Sequence, residues 1–234
     1  MTLQLSQNTL QNRVFKQKIL DLHIKDFMLG QTRKYLSKEK NTLDIGAATG
    51  MYSSFFAENS KHVYSFEAVP PVYRQLEKIK QRYDNVTTYN KAVCNFNGES
   101  DFYVDDKRLS NSGFQNLVNG QKITVDTVTV DSMNFDNIGF IKVDVEGNEL
   151  DVLNGAVDTL NENRPVCMVE VYAKFNKYPV ETTFEFFFDN DYDCFYNYKA
   201  RGLEKVNNMT EALESTKIPE ITDGDFLFVP KEVN

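Results

Sequence analysis

Thr42-Leu43-Asp44-Ile45-Gly46-Ala47-Ala48-Thr49-Gly50, read together with Glu67, decides the fold of this chain. An apolar run ends in an acid, and a small-residue loop then opens a helix over Met51 to Glu58. A second apolar run, His62 to Phe66, ends in Glu67. Small residues let the backbone approach a ligand closely, and a carboxylate at the next strand tip can accept hydrogen bonds from a ribose diol. A Gly-x-x-x-Gly loop alone is a weak signal. Strand, loop, helix, strand and acid in that order form a much more specific one.

Outward from this unit the pattern repeats. Strands are expected at 42–45, 62–67, 86–89 (running on towards Ala92-Val93), 140–145 and 166–171. Helices are expected at 72–82 behind Pro70-Pro71, at 148–160, and at 182–188. The β-branched stretches 101–104 and 122–130 read as two added strands, and 194–198 and 226–229 as further apolar segments. Residues 203–222, charged and poor in aromatics, read as a surface excursion. Residues 8–38 are helically periodic, with Gly30 as punctuation before a shorter helix through Lys34-Tyr35-Leu36. This region is better read as a cover packed on a sheet edge than as a lid. The chain therefore divides into an N-terminal helical cover, 1–40, and one α/β domain, 41–234. That domain is a mainly parallel twisted sheet with helices on both faces and a ligand cleft at the strands' carboxyl ends.

Composition narrows the partners. The 234 residues carry a net charge of −8, which opposes binding to phosphate backbones and argues against nucleic acid. Hydrophobic residues at 41% suit a folded core. No apolar run approaches the ~18 residues of a membrane helix, so no membrane partner is expected. The N-terminus lacks the basic and apolar regions of a signal peptide. Cys94, Cys167 and Cys194 are far apart without a Cys-x-x-Cys pair, and read as reduced core thiols of a cytoplasmic protein.

The chemistry centres on carboxylates. In Phe140 to Gly147, alternation puts Lys142, Asp144 and Glu146 on one strand face. The βα context places Asp144 and Glu146 at the cleft rather than on a solvated strand face. Glu170 closes the next strand in the same way. Asp44, Glu67, Asp144 and Glu170 thus converge on one edge. They would suit a ligand bearing hydroxyls, a cationic centre or a metal ion. His23 and His62 lie on the N-terminal helix and at the wrong end of a strand, and read as surface residues.

These segments resemble the FkbM-type methyltransferases. Asp44-Ile45-Gly46-Ala47-Ala48-Thr49-Gly50-Met51-Tyr52 is similar to that family's Asp-x-Gly-Ala-Asn-x-Gly-x-Tyr. Phe66-Glu67-Ala68-Val69-Pro70 resembles Phe-Glu-Pro-x-Pro, and Asn90-Lys91-Ala92-Val93 resembles Asn-x-Ala-Leu. Ile141 to Glu149 is close to the most specific block, Ile-Lys-x-Asp-Val-Glu-Gly-x-Glu. Asn97-Gly98, Leu153 to Ala156, Arg164-Pro165 and Glu170 complete the ordered match. The resemblance implies a Rossmann-like class I methyltransferase fold and S-adenosyl-L-methionine as cofactor. Its binding set would be Asp44, Gly46, Ala47, Gly50, Tyr52, Glu67, Asn90, Ala92 and Asp144. In that reading Asp44 orients the loop, Glu67 holds the ribose, Asn90 to Ala92 border the adenine, and Asp144 faces the sulfonium. Glu146, Glu170 and Tyr172 face the acceptor, and Asp144, Glu146 and Glu170 form the catalytic set. Ala48 and Ala68 stand where the family has Asn and Pro, and Tyr172 where many members have His, so no His base is carried over.

The resemblance further implies O-methylation of a hydroxyl on a sugar, glycan or related small molecule. A carboxylate base, Glu146 first, is preferred over Mg²⁺ held by Asp144, Glu146 and Glu170. Two other classes compete. A nicotinamide-dependent oxidoreductase also uses an acid after its second strand, but the Gly-x-Gly-x-x-Gly fingerprint is missing. A non-catalytic nucleotide-binding module leaves the acidic cluster without a purpose. Residues 105–120 and 173–183 are expected to shape the acceptor pocket, with Phe175 and Tyr178 either stacking on a sugar or packing.

Overall fold

The structure, a computed structural model, describes residues 27–105, 112–115, 120–172, 176–197, 202–217 and 224–233. The expected helix over 8–38 therefore lies largely outside the described residues, as do Phe175 and His23. What is described of it is a short helix, α1 (Phe27–Thr32), and one 3-10 turn, Arg33–Tyr35. Gly30 sits inside α1 rather than ending it. Met28 and Leu29 are buried in the same apolar cluster as Leu227 and Val229.

Eight strands form one sheet: β1 (Asn41–Ile45), β2 (Val63–Phe66), β3 (Val86–Tyr89), β7 (Ile138–Val143), β8 (Val166–Glu170), β9 (Tyr192–Asn197), β10 (Leu203–Val206) and β11 (Asp225–Pro230). Their order is β10-β9-β11-β8-β7-β1-β2-β3. From β8 through β3 all neighbours run parallel. β11 enters antiparallel between β8 and β9, and β10 closes the edge antiparallel to β9. The strand order reverses between β7 and β1, so a crevice opens at their carboxyl ends.

Both faces of the sheet are buried, and the period-two alternation decides what each strand gives to which side. On one face Phe226 and Phe228 of β11 meet Phe184 and Phe187 of α6 (Val180–Asp189), with Phe187 and Phe228 stacked at 3.8 Å. On the other, Leu227 and Val229 join Phe55 and Phe56 of α2 (Met51–Asn59) and Phe140 of β7. Each such side chain contributes roughly 1.5–3 kcal/mol by leaving water.

Several boundaries differ from the sequence expectation. The helix expected at 72–82 is α3 (Pro70–Leu76), tightened into a 3-10 segment at Glu77–Gln81. The helix expected at 148–160 is two, α4 (Glu149–Asn154) and α5 (Val157–Asn163). At the break, Gly155 lies so close to Cys94 that a Cβ would stand 2.2 Å from its carbonyl oxygen. The Asp131 carboxylate then accepts the Asp158 and Thr159 N–H groups at the start of α5. Residues 203–222 are not a plain excursion. β10 extends the sheet, and α7 (Met209–Ser215) follows, capped by the Asn208 side chain and anchored by fully buried Ala212. Residues 218–223 lie outside the described set.

Ala92-Val93 also leaves the main sheet. As β4 it joins β5 (Gly98–Val104) and β6 (Gln121–Val128) in a separate three-stranded sheet, ordered β4-β6-β5. Its apolar face, with Phe102, Val104 and Val125, packs on Val69 and Val72 at the start of α3. The small sheet thereby walls one side of the crevice.

Gly46 welds the two central loops. Its φ is +78°, and a Cβ there would stand 1.7 Å from the Asp144 carbonyl oxygen. Gly46→Ala is expected to cost at least about 3 kcal/mol, or roughly 10 °C in Tm for a chain of this size. A thermal melt at the wild-type temperature would contradict this packing.

Candidate functional site

The crevice encloses about 620 Å³ of non-atom space, its open mouth included. Three elements meet there: the loop after β1 (Gly46, Ala48), the loop after β2 (Glu67 to Val69) and the loop after β7 (Asp144 to Glu146). Ala92 and Val93 of β4, Phe102 of β5 and Phe114 give apolar lining, with Lys91 and Ser112 beside them.

The first loop is shaped by backbone bonds. Gly46 and Ala47 both donate to the Phe66 carbonyl, at 3.1 and 2.8 Å, tying this loop to the end of β2. Gly50, at φ +88°, then opens α2. Ala48 takes φ +48°, a conformation that asparagine tolerates far better than alanine. Glu67 Oε2 accepts the Ala48 N–H at 3.1 Å and Oε1 accepts the Val69 N–H at 2.7 Å. Each oxygen keeps acceptor capacity for a ligand hydroxyl. Burial pushes the Glu67 carboxyl up, against the pull of the two N–H donors. Asn90 donates to the Glu67 and Ala68 carbonyls at 2.8 and 3.0 Å, so it shapes this loop from outside the cleft wall.

Asp44 does not line the cleft. It is wholly buried, and its Oδ2 accepts from Ser53 Oγ of α2 at 2.5 Å. Ser65 in turn donates to Ser53 at 2.9 Å. This placement suits an anchor that orients the loop from behind rather than a group in contact with a ligand. Tyr52, half-buried on α2, presents its ring 4.9 Å from the Lys142 ammonium. It too supports the cleft from below.

Lys142, which the sequence places on the Asp144 face without a place in the site set, holds the two central loops together. It is 2% exposed, and its Nζ donates to Asp144 Oδ2 at 3.0 Å and to the Gly46 carbonyl at 3.4 Å, with Asp44 Oδ1 at 3.9 Å. Burial works against its charge, but Asp144, Asp44 and Asp225 outweigh it and hold the ammonium above its ordinary range. Alternation did signal the position, since Lys142 shares the Asp144 face.

β7 ends at Val143, earlier than expected, because the next backbone donors turn away from the sheet. Asp144 N–H still reaches the Ile45 carbonyl at 3.0 Å. Val145 and Gly147 instead donate to the side chain of Glu149. Strand parity therefore fails at Glu146, which adopts φ +56°. Burial, with Asp144 and Glu149 nearby, pushes the Glu146 carboxyl up to about 7, and Lys142 opposes the shift. Glu149, 1% exposed, is also pushed up to about 7 by burial against its N–H partners. Glu170 lies beside Asp225 across the β8–β11 register. Burial first, then Asp144, Glu146, Glu149 and Asp225, holds Glu170 well above the carboxylate range.

Tyr178 is committed elsewhere: its hydroxyl donates to Asp151 at 2.8 Å, and Lys177 binds the same carboxylate at 2.8 Å. Tyr172 is 43% exposed beyond the end of β8. His62 is partly buried and bonds Thr87 at 2.9 Å, away from the crevice. Among the described residues, no three His, Cys, Asp or Glu side chains are arranged to hold a metal ion. No described helix is long and apolar enough to cross a membrane.

The chain matches the model of the methyltransferase FkbM domain over residues 44–198. Among solved structures it is similar to methyltransferase FkbM from Methylobacillus flagellatus KT, with a TM-score of 0.55 and 17% identity. That match covers 82% of this chain and 44% of the other, so the chain spans less than half of that protein's length. At this identity the likeness concerns the fold, a Rossmann-like α/β architecture. Fibrillarin of Aeropyrum pernix, solved with natively bound S-adenosyl-L-methionine, is similar at a TM-score of 0.47 and 10% identity, covering 83% of this chain and 67% of that one. No curated protein matches significantly.

Two outcomes follow from the buried charges. Lys142→Met strands Asp44 and Asp144 without their cation, and is expected to cost about 3–5 kcal/mol by denaturant titration. A loss below about 1 kcal/mol would contradict the network. The raised carboxyls also set a pH dependence. A folded pKa of about 7 for Glu149, against an ordinary 4.5, stabilises the fold fully below about 4.5. That contribution is lost as pH rises through about 7. The ligand-free protein is therefore expected to lose Tm between about pH 5 and about pH 8, with a shallower slope in Glu149→Gln.

Proposed function

The chain belongs to the FkbM methyltransferase family, and we propose that it transfers a methyl group from S-adenosyl-L-methionine to a hydroxyl of a sugar, glycan or related small molecule. One observation carries the reading. The small-residue loop, the Glu67 carboxylate and the Lys142-held Asp144 line one crevice together with apolar Val69, Val93 and Phe102. The donor set fits the cofactor. Glu67 has lone pairs left for a ribose diol, and an acidic floor favours a cation over an anionic dinucleotide. The apolar lining, with Val69, Val93 and Phe102, suits a nucleobase.

When bound, S-adenosylmethionine supplies an electrophilic methyl on a positively charged sulfur. The chain's own task is alignment and proton transfer. Asp144, fixed by Lys142 at 3.0 Å, keeps a carboxylate at the cleft floor in one orientation. A hydroxyl nucleophile must lose its proton, and Glu146, with its carboxyl near 7, is matched to accept it at neutral pH. Glu170, held towards its protonated form, would donate a hydrogen bond to the acceptor. Residues 41–234 would form the catalytic domain, with the N-terminal segment as its cover.

Calorimetry with S-adenosylmethionine and with NADH tests the cofactor assignment. Glu67→Ala is expected to weaken binding of the former about ten-fold or more through the lost charge-assisted hydrogen bonds. Wild-type affinity in that variant, or preferential NADH binding, would contradict the assignment. Glu146→Gln and Glu170→Gln are expected to cut turnover with a hydroxyl acceptor while leaving cofactor affinity unchanged. Loss of turnover on EDTA treatment with recovery on Mg²⁺ would replace the direct base by a metal.

A further inference from the structure

Asp144 to Asn148 carry the chain from β7 to α4, and the turn is sharp. Glu146 adopts φ +56° and Gly147 φ +103°. A side-chain-bearing residue in the left-handed region persists only where its surroundings enforce it. The two amides flanking Glu146, those of Val145 and Gly147, both donate to one atom, Glu149 Oε1, at 3.2 and 3.0 Å. Glu149 is the first residue of α4 and is 1% exposed, so water does not compete for those amides. On the far side of the turn, the Gly147 carbonyl accepts the Lys177 N–H at 2.8 Å. Glu146, between the clamped amides, lines the cleft.

We propose that Glu149 is a positioning residue for Glu146: its buried oxygen gathers the amides on either side and so aims the Glu146 carboxylate into the cleft. What the turn requires from residue 149 is an acceptor oxygen at the right reach. It does not require a negative charge, because Asp144, Glu146 and Glu170 already crowd this end of the sheet, with Lys142 turned to Asp44 and Asp144 and Lys177 to Asp151. This inference rests on Glu146 being the acceptor-side base.

Reach and charge separate in two substitutions. Glu149→Gln keeps the reach and discards the charge, whereas Glu149→Asp keeps the charge and withdraws the oxygen by one methylene. Amide hydrogen exchange at Val145 and Gly147 reads the clamp directly. Exchange in Glu149→Gln is expected to stay within about three-fold of wild type, and in Glu149→Asp to quicken by about ten-fold or more. Turnover is expected to follow the same order, with Glu149→Asp slowed by about a hundred-fold at unchanged cofactor affinity, the scale of a misplaced catalytic group. Protection retained in Glu149→Asp and lost in Glu149→Gln would overturn the inference, as would wild-type exchange in both. If Glu149→Asp does not fold, loss of protection in Glu149→Gln alone still overturns it, and its retention supports it. If wild-type protein transfers no methyl to hydroxyls, the reading of Glu146 as base fails, while the exchange result still decides the clamp.

Discussion

The ammonium of Lys142 is the charge on which the site depends. It lies 2% exposed within the sheet, and an unpaired cation there would cost several kcal/mol. Its partners come from both loops of the cleft: the Gly46 carbonyl from one, and the Asp144 carboxylate from the other, with Asp44 behind. The same two loops touch through backbone, since Gly46 has no room for a side chain against Asp144. Moving either loop would take a partner from that charge. A crevice formed by two loops at a switch point thus gains the rigidity that alignment chemistry needs.

Around this centre the carboxyls divide by environment. Asp144 faces the ammonium directly. Glu146, Glu149 and Glu170 lie deeper among other acids, and burial favours their protonated forms. Chemically similar side chains at one end of the sheet thus sit in different electrostatic environments. The small sheet adds Ala92, Val93 and Phe102, so the cleft lining mixes apolar and acidic groups.

Much of this was legible in the sequence because parallel βα units announce themselves twice, by apolar runs and by what ends them. The Asp44 to Gly50 loop, Glu67 and the Asp144 block were readable at once. Lys142 was placed on the Asp144 face, but alternation does not say that its ammonium is buried against the Gly46 carbonyl and Asp44. Glu146 escaped strand parity because a side chain, Glu149, took up the backbone donors that a neighbouring strand would otherwise have satisfied. β10 and α7 were hidden for a different reason. They are held by a few buried residues such as Val206 and Ala212, too few to leave a periodic signal among so many charges. Asp44 was read as orienting the loop within the binding set, and its burial against Ser53 keeps it behind the loop, away from the crevice lining.

The most direct measurement of the central claim is a crystal structure with S-adenosylhomocysteine, the demethylated form of the proposed cofactor. The account predicts the ribose hydroxyls within hydrogen-bond distance of Glu67, the sulfur on the Asp144 side of the crevice, and the base against Val69, Val93 and Phe102. A ligand bound elsewhere on the sheet, or with its ribose away from Glu67, would contradict it.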